Sequence, residues 1–315
     1  MRDIPAKRIA IVGPGALGCL LATALSRING EIWVLDHDSQ RAGLLQHSGL
    51  TLDSAGHCEH FPIQATADAS RIGPVDLVLL CVKSTALGRT LPFLLPLLTE
   101  NTLLLAWQNG IGHLPLLLGA ELPCPLALAV TSLGAHLLGV GRVRFGGAGA
   151  TSLGFLREAS REARLGLEEV AARFRLAGLK ARVEDDILPQ VWNKLLVNVG
   201  INALTAIHDC ENGALLGNGE ALGLMRAAVL EAASVARAKG IAVDPDPVAR
   251  TIAVCRATAA NISSMLQDVR QNRQTEIEAI NGAVLEEAQR LGIPAPVNAA
   301  LFAAVKGLEK SYLPG

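Results

Sequence analysis

A glycine-rich turn lies near the N-terminus of this chain, between a short apolar run and a helical pattern, and it limits the possible folds more than any other segment. Residues 8–13 read RIAIVG, and the turn continues as Gly13-Pro14-Gly15-Ala16-Leu17-Gly18. At this spacing the first glycine makes the bend, the second leaves room for a phosphate, and the third lets the helix pack closely on the strand. Amide N–H groups at the start of the helix then hold the anion. Residues 7–36 therefore predict a β-α-β unit that binds a dinucleotide.

An acidic residue at the end of the second predicted strand bears on which dinucleotide is bound. Asp36 lies 23 residues after Gly13. An acid there hydrogen-bonds the adenosine ribose hydroxyls, favours NAD and repels the 2′-phosphate of NADP. His37 and Arg41 follow closely, and either could hold that phosphate. The alternative for Asp36 is that it caps the helix that follows.

The pattern of apolar residues divides the chain into two parts. Nearly continuous apolar runs predict buried parallel strands at 8–13, 31–36, 75–83, 102–110 and 125–134. Helical patterns alternate with them at 16–28, 39–48, 84–98 and 160–177. From residue 187 onwards the pattern is almost wholly helical. We therefore predict an α/β fold: a Rossmann-type, doubly wound sheet over residues 1–184 and an all-helical substrate and catalytic domain over 185–315.

Composition excludes several classes of partner. Lys and Arg number 28 and Asp and Glu 29, with no basic stripe, which argues against a nucleic-acid partner. The leucine-rich stretch at 91–107 contains two prolines and a glutamate, and it falls short of the roughly 20 apolar residues of a membrane span. The six cysteines show no CxxC or zinc-finger spacing, so we expect reduced thiols and no metal site. Residues 1–8 are polar, unlike a signal peptide, and a cytoplasmic location is expected.

A polar stripe runs through an otherwise apolar helical segment at 191–202. Lys194, Asn198 and Asn202 recur every four residues and span about 80° of one helix face. Burying a lysine and two amides is costly unless they meet a polar partner, and the expected partner is a ligand. Burial would also lower the pKa of the lysine and make it a usable acid or base. The alternative is a lysine that extends to solvent beside two surface asparagines.

A second polar cluster occupies residues 263–278. Ser264 and Glu276 are 12 residues apart, which is about 18 Å along a straight helix, too far for both to touch one small substrate. A break between them is needed, and Asn272 tolerates the left-handed conformation that would make one. The alternative is a solvated helix face.

Lys83 and Asn109 end two predicted strands at the carboxyl edge, where ligands bind in open α/β sheets, although each could be an ordinary loop residue.

Taken together, these segments resemble the ketopantoate reductase family over nearly the whole chain. The resemblance rests on GPGALG (13–18), CVKS (81–84), QNGIG (108–112), WNKLLVNVGINALTAI (192–207) and SSMLQDVRQNRQTEIEAINGAV (263–284). It implies hydride transfer from a reduced nicotinamide to the ketone of 2-dehydropantoate. The cofactor that the resemblance implies is NADP(H). The product would be pantoate, on the route to pantothenate and coenzyme A.

The resemblance also implies roles for single residues. Lys194 matches the proton donor of the family, and Glu276 matches a cofactor contact that also orients the lysine. Further matches are substrate contacts at Asn198, Asn202, Asn212 and Ser264, a contact to both substrate and cofactor at Asn109, and cofactor contacts at Lys83 and at the backbone of Ala135. Where NADPH-selective members carry an arginine after the second strand, this chain reads Leu35-Asp36-His37, so NAD(H) stays a candidate.

Two other functions stay open from the sequence. One is the reduction of another branched 2-keto acid. The other is a non-catalytic NAD(P)-binding sensor, which would not need to keep a lysine, two asparagines, a serine and a glutamate together. The leucine- and alanine-rich helical part could also bury a homodimer surface.

Overall fold

The computed structural model describes residues 6–54 and 56–313, and this part of the chain forms two compact units. The first contains the residues up to Gln108 together with Gly119–Ile187. The second contains Asn109–Leu118 together with the residues from Leu188 onwards. This division differs from the predicted one because residues 109–118 pack with the helical unit. Of the polar N-terminal stretch, residues 1–5 lie outside the described part.

In the described residues, the strands of the first unit are β1 (Lys7–Val12), β2 (Gly30–Leu35), β3 (Leu50–Ser54), β4 (His57–Phe61), β5 (Gln64–Thr66), β6 (Leu77–Leu80), β7 (Leu103–Ala106), β8 (Leu126–Thr131), β9 (Gly134–Gly139), β10 (Arg142–Gly147), β11 (Ala150–Phe155) and β12 (Lys180–Val183). The helices are α1 (Ala16–Leu25), α2 (Ser39–Ser48), α3 (Ala69–Ile72), α4 (Leu87–Thr90), α5 (Leu114–Gly119), α6 (Arg161–Leu176), α7 (Leu188–His208), α8 (Gly219–Ala238), α9 (Pro247–Ala257), α10 (Ser264–Arg270), α11 (Ala283–Leu291) and α12 (Pro296–Lys310).

The main sheet has the order β12-β11-β8-β7-β6-β1-β2-β5. The six strands from β8 to β5 run parallel, whereas β11 is antiparallel to β8. Every residue of β6 and β7 is buried, as expected for parallel strands covered on both faces. The strand order reverses between β1 and β6, so the crevice at their carboxyl ends is the place where such sheets bind ligands.

A second sheet, with the order β4-β3-β10-β9, was not predicted from the sequence. Its strands lack continuous apolar runs: β4 reads HCEHF and is mostly exposed, and β10 reads RVRFGG. The helix predicted at 84–98 is also divided, into a 3-10 turn (Ser84–Ala86), α4, and a 3-10 segment (Leu91–Leu97). Prolines within 91–97 remove backbone donors and prevent a continuous α-helix.

The second unit is helical and is organised around α7. This helix packs against α8, α9, α10 and α12. Its contact with α8 is close because position 200 is glycine: an added Cβ would lie 2.7 Å from Val229 Cγ2. The unit also has a 3-10 turn (Asn212–Gly217) and a π-helical turn (Glu278–Gly282) that leads into α11. No helix among residues 6–54 and 56–313 has the length and apolar character needed to cross a membrane.

Candidate functional site

The glycine turn of the first unit has the geometry of an anion cradle. Gly13 has a φ of +91°, and an added Cβ would lie 2.7 Å from Val82 Cγ1. At Gly18 an added Cβ would lie 2.3 Å from the carbonyl oxygen of Gly13, so only glycine allows α1 this close to the turn. Gly15, the residue before α1, faces open space and provides no side-chain cap. The first amide N–H groups of α1 are thus available to a pyrophosphate.

Asp36, directly after β2, is a buried carboxylate that pairs with the partly exposed Arg41. Its side chain is 2% exposed, and it accepts hydrogen bonds from Arg41 Nε at 2.9 Å and Arg41 Nη2 at 2.6 Å. The N-cap of α2 is Asp38, which accepts from two backbone amides, so the alternative that Asp36 caps this helix is wrong. His37 Nδ1 lies 3.3 Å from Asp36 Oδ1, with its side chain 76% exposed. The acid that would favour NAD is therefore already paired with a cation.

Two more predicted cofactor residues lie at strand ends of the first unit. Lys83 follows β6 and precedes the 3-10 turn Ser84–Ala86. Gln108 fixes this segment, because its Nε2 donates to the carbonyl oxygens of Leu80 at 2.8 Å and Val82 at 2.9 Å. Gln108 was not among the predicted site residues, although a polar amide close after a buried strand was a usable signal. Ala135 lies half-buried in β9, of the second sheet.

In the second unit, α7 carries the polar stripe as expected. Lys194 and Asn198 are half-buried and Asn202 is buried, so the stripe is not a solvated surface. Their side chains have no hydrogen-bond partner among the described residues, which leaves their polar groups available to a ligand. Burial lowers the pKa of Lys194 to about 8, and the charge of Glu276 partly opposes this shift. The predicted lowering is confirmed.

Glu276 and Asn109 come together within the second unit. Glu276 is 9% exposed and accepts a hydrogen bond from Asn109 Nδ2 at 3.0 Å. The loop after Asn109 is fixed on the π-helical turn, since the amides of Ile111 and Gly112 donate to the carbonyl oxygen of Ala279 at 2.9 and 3.1 Å. This contact explains why residues 109–118 belong with the helical unit. It also aligns an amide with the carboxylate that acts on the lysine.

The expected break between Ser264 and Glu276 is present. Ser264 is the exposed first residue of α10, which ends at Arg270, and Asn272 has a φ of +51°. Ser263 caps α10 and accepts a hydrogen bond of 2.7 Å from Thr205 Oγ1 of α7. This bond ties the start of α10 to the helix that carries Lys194. Neither Ser263 nor Thr205 was predicted as a site residue, because neither is distinguished by its local pattern.

Asn212, the first residue of the 3-10 turn Asn212–Gly217, makes hydrogen bonds of its own. Its Nδ2 donates to Thr258 Oγ1 at 2.9 Å, and its carbonyl oxygen accepts from Cys255 Sγ at 2.8 Å, both in or beside α9. Its Oδ1 is buried and has no hydrogen-bond partner among the described residues. No hydrogen bond among those residues joins Asn212 to Lys194, so its predicted contact with substrate stays a prediction.

The chemistry available in the second unit is that of an acid beside amide groups. An ammonium with a pKa near 8 is charged at neutral pH, can give its proton to a developing oxyanion, and attracts a carboxylate. The amides of Asn198 and Asn202 can bind hydroxyl or carboxylate oxygens. Among residues 6–54 and 56–313, no group of three or more His, Cys, Asp or Glu side chains could hold a metal ion.

Comparisons with known proteins agree over the length of the chain. A 2-dehydropantoate 2-reductase from Halobacterium salinarum is 34% identical over 299 residues, covering 92% of this chain and 95% of that protein. The crystal structure of a PanE/ApbA family ketopantoate reductase from Ralstonia eutropha is 30% identical, covers 97% of this chain and 99% of that one, and gives a TM-score of 0.87. The ternary structure of D-mandelate dehydrogenase with NADH and anilino(oxo)acetate is 27% identical, with the same coverage and a TM-score of 0.88.

The family assignment follows from both parts of the chain. Residues 9–158 match the family described as ketopantoate reductase PanE/ApbA, and residues 186–309 match its C-terminal part. The two matched segments contain the glycine turn and the α7 stripe respectively. The chain belongs to the ketopantoate reductase family.

Proposed function

We propose that this chain is an NAD(P)H-dependent 2-hydroxyacid oxidoreductase that reduces 2-dehydropantoate to pantoate, a step on the route to pantothenate and coenzyme A. The observation that carries the proposal is Lys194, a half-buried lysine with a pKa near 8, aligned with two amides on α7 and acted on by Glu276. The relative from Halobacterium salinarum bears the name of this activity.

The pyrophosphate of the cofactor is assigned to the glycine turn of the first unit. The cradle around Gly13, Gly15 and Gly18 fits a pyrophosphate, because Gly15 borders open space that a side chain there would enter, and Gly13 and Gly18 let the turn pack closely on its neighbours. When bound, the reduced nicotinamide supplies the hydride. Lys83 and the backbone of Ala135 are assigned further contacts with the cofactor, as are Asn109 and Glu276.

The residues of α7 then act on the keto acid. As hydride adds to the C2 carbon, the electrons of the carbonyl bond move to oxygen, and the alkoxide takes a proton from Lys194 Nζ. The lysine is left neutral and is reprotonated from water. Before this transfer its positive charge stabilises the growing negative charge on oxygen. Asn198, Asn202 and Ser264 bind the hydroxyl and carboxylate groups, and Asn212 is retained as a further substrate contact.

A direct assay tests the proposal. Purified protein is incubated with NADPH or NADH and 2-dehydropantoate, and oxidation of the cofactor is followed by its absorbance. We expect turnover in the wild type, and Lys194→Ala to lower kcat by orders of magnitude while cofactor affinity stays nearly unchanged. Lys180→Ala, at an exposed lysine of β12, is the matched control. Near-normal turnover of Lys194→Ala would remove the lysine from the mechanism.

A second candidate is the reduction of a different 2-keto acid, favoured by the similarity to the NADH complex of D-mandelate dehydrogenase. Phenylglyoxylate, the keto acid related to mandelate, and 2-ketoisovalerate are therefore included in the assay. If either has a higher kcat/KM than 2-dehydropantoate, the second candidate replaces the first. A non-catalytic sensor would bind the cofactor and reduce none of the three.

We further propose a cytoplasmic protein that has no nucleic-acid partner and can form a homodimer. The six cysteines, all free, support the cytoplasmic location. The balanced charge supports the absence of a nucleic-acid partner. Exposed leucines such as Leu230 on α8 support the homodimer. Light scattering after size-exclusion chromatography tests the oligomeric state.

A further inference from the structure

A buried carboxylate in the last turn of α12 binds the residue next to Glu276. Glu309 is 2% exposed, and its Oε1 accepts hydrogen bonds from both Thr275 N at 2.8 Å and Thr275 Oγ1 at 2.7 Å. Its Oε2 lies 2.9 Å from Lys306 Nζ. A carboxylate removed from water is costly unless it is paired, and here Oε1 is paired through hydrogen bonds with Thr275 and Oε2 through the charge of Lys306.

The charged groups around Glu309 keep it ionised. Burial raises the pKa of its carboxyl, but hydrogen bonds from Lys306 and Thr275 outweigh that effect, and the net pKa lies below the ordinary value. Lys306 also pairs with Glu278, at 2.8 Å. Tyr312 is the other titratable group acted on by Glu309, and its hydroxyl donates to the carbonyl oxygen of Arg273 at 3.2 Å.

The bonds to Thr275 fix the backbone on both sides of Glu276. Thr275 Oγ1 donates to Glu309 and also accepts from the amide of Ile277 at 3.2 Å. Glu276 therefore lies between Thr275 and Ile277, which are joined by the hydroxyl group of Thr275. Its carboxylate is directed at Asn109.

We propose that Glu309 is a positioning residue: by binding both polar groups of Thr275, it holds the Glu276 carboxylate against Asn109 and keeps its charge acting on Lys194. Glu309 touches neither substrate nor cofactor in this role. The inference rests on the proposed function for its catalytic meaning, although the positioning itself is measurable without substrate.

Loss of the hydrogen bonds between Glu309 and Thr275 should change the pKa of Lys194. The charge of Glu276 raises the pKa of Lys194 against the effect of burial. When Glu276 is no longer held, that support weakens and the pKa falls further below its present value of about 8. A purely structural role for Glu309, as an anchor of α12, would lower stability but leave the pKa of Lys194 unchanged.

The experiment compares four variants of the full chain. Glu309→Gln removes the charge, Thr275→Val removes the hydroxyl, and Thr275→Ser keeps both bonds. Lys310→Gln, at the exposed neighbour of Glu309, is the matched control. Two readouts are taken against pH: the rate at which trace acetic anhydride acetylates Lys194, measured by mass spectrometry, and kcat for 2-dehydropantoate. Circular dichroism establishes that each variant is folded.

We expect Glu309→Gln and Thr275→Val to lower the acetylation midpoint of Lys194 by at least about half a pH unit and to lower kcat several-fold. Thr275→Ser and Lys310→Gln should match the wild type. If the folded Glu309→Gln and Thr275→Val variants keep the wild-type midpoint, the proposal is overturned, whatever their melting temperatures. If Glu309→Gln does not fold, the two Thr275 variants decide. A wild type without reductase activity would refute the proposed function alone, since the acetylation midpoints still test the positioning.

Discussion

The pH dependence of ketone reduction tests Lys194 directly, because burial lowers the pKa of its ammonium from 10.5 to about 8. Only the protonated lysine can give a proton to the alkoxide, so the rate falls as pH rises through this pKa. With a pKa of about 8, about nine-tenths of the lysine is charged at about pH 7 and about one-tenth at about pH 9. We expect kcat/KM for the keto acid to fall roughly tenfold between these values.

The assay measures initial rates with saturating reduced cofactor and a low keto acid concentration, in buffers of constant ionic strength. Two variants assign the titration. In Lys194→Arg the side chain stays charged throughout, so any residual activity should lose the alkaline decline. In Glu276→Gln the charge that raises the lysine pKa is gone, so the decline should begin at lower pH.

The assignment of Lys194 as the proton donor is refuted if the wild-type rate stays flat to about pH 9, as an ordinary lysine with a pKa of 10.5 would allow. It is also refuted if Lys194→Arg keeps the same alkaline decline, because another group would then be responsible for the titration.

Three further predictions follow from separate features. Arg41→Ala should leave the negative charge of Asp36 unpaired and shift the ratio of NADPH to NADH affinities at least about tenfold toward NADH. The two affinities are measured by titration of the purified protein. An unchanged ratio would show that the pair lies outside the cofactor site. Gly110→Ala should lower the free energy of unfolding in urea by about 1–3 kcal/mol, because Gly110 has a φ of +82° and an added Cβ would lie 2.1 Å from the carbonyl oxygen of Ala279. Gly178→Ala, at a similar φ but in open space, should lower it less. Exposed Cys58 should react with iodoacetamide well before Cys19, since burial raises the pKa of Cys19 to about 12; equal rates would contradict this.

The main sheet was predictable because its strands are local patterns. The apolar runs at 8–13, 75–83 and 102–110 each gave a strand, although the observed strands are shorter at their carboxyl ends. The second sheet was not predictable, since strands such as β4 and β10 are short, polar or rich in glycine. Such strands are stabilised by their pairing partners rather than by their own sequence.

In the candidate site too, some features could be predicted from local sequence and others could not. The stripe of Lys194, Asn198 and Asn202 can be read from one helix, and its lowered lysine pKa follows from the apolar residues beside it. The pairing of Asp36 with Arg41 was within reach of the sequence but not decided by it, because Arg41 could equally have faced a phosphate.

Local sequence was enough to predict the glycine cradle, the parallel strands and the polar stripe, because each depends on residues that are close together in the chain. The folded chain was needed to show that Asn109 binds Glu276 from 167 positions away, and that Glu309 binds Thr275 from 34 positions away. Contacts of this kind depend on where whole elements pack, and loop closure over such distances leaves no periodic trace in the sequence. The glycine turn thus predicts a dinucleotide site without the fold, whereas the group that sets the acidity of Lys194 is defined only once the helical unit is packed.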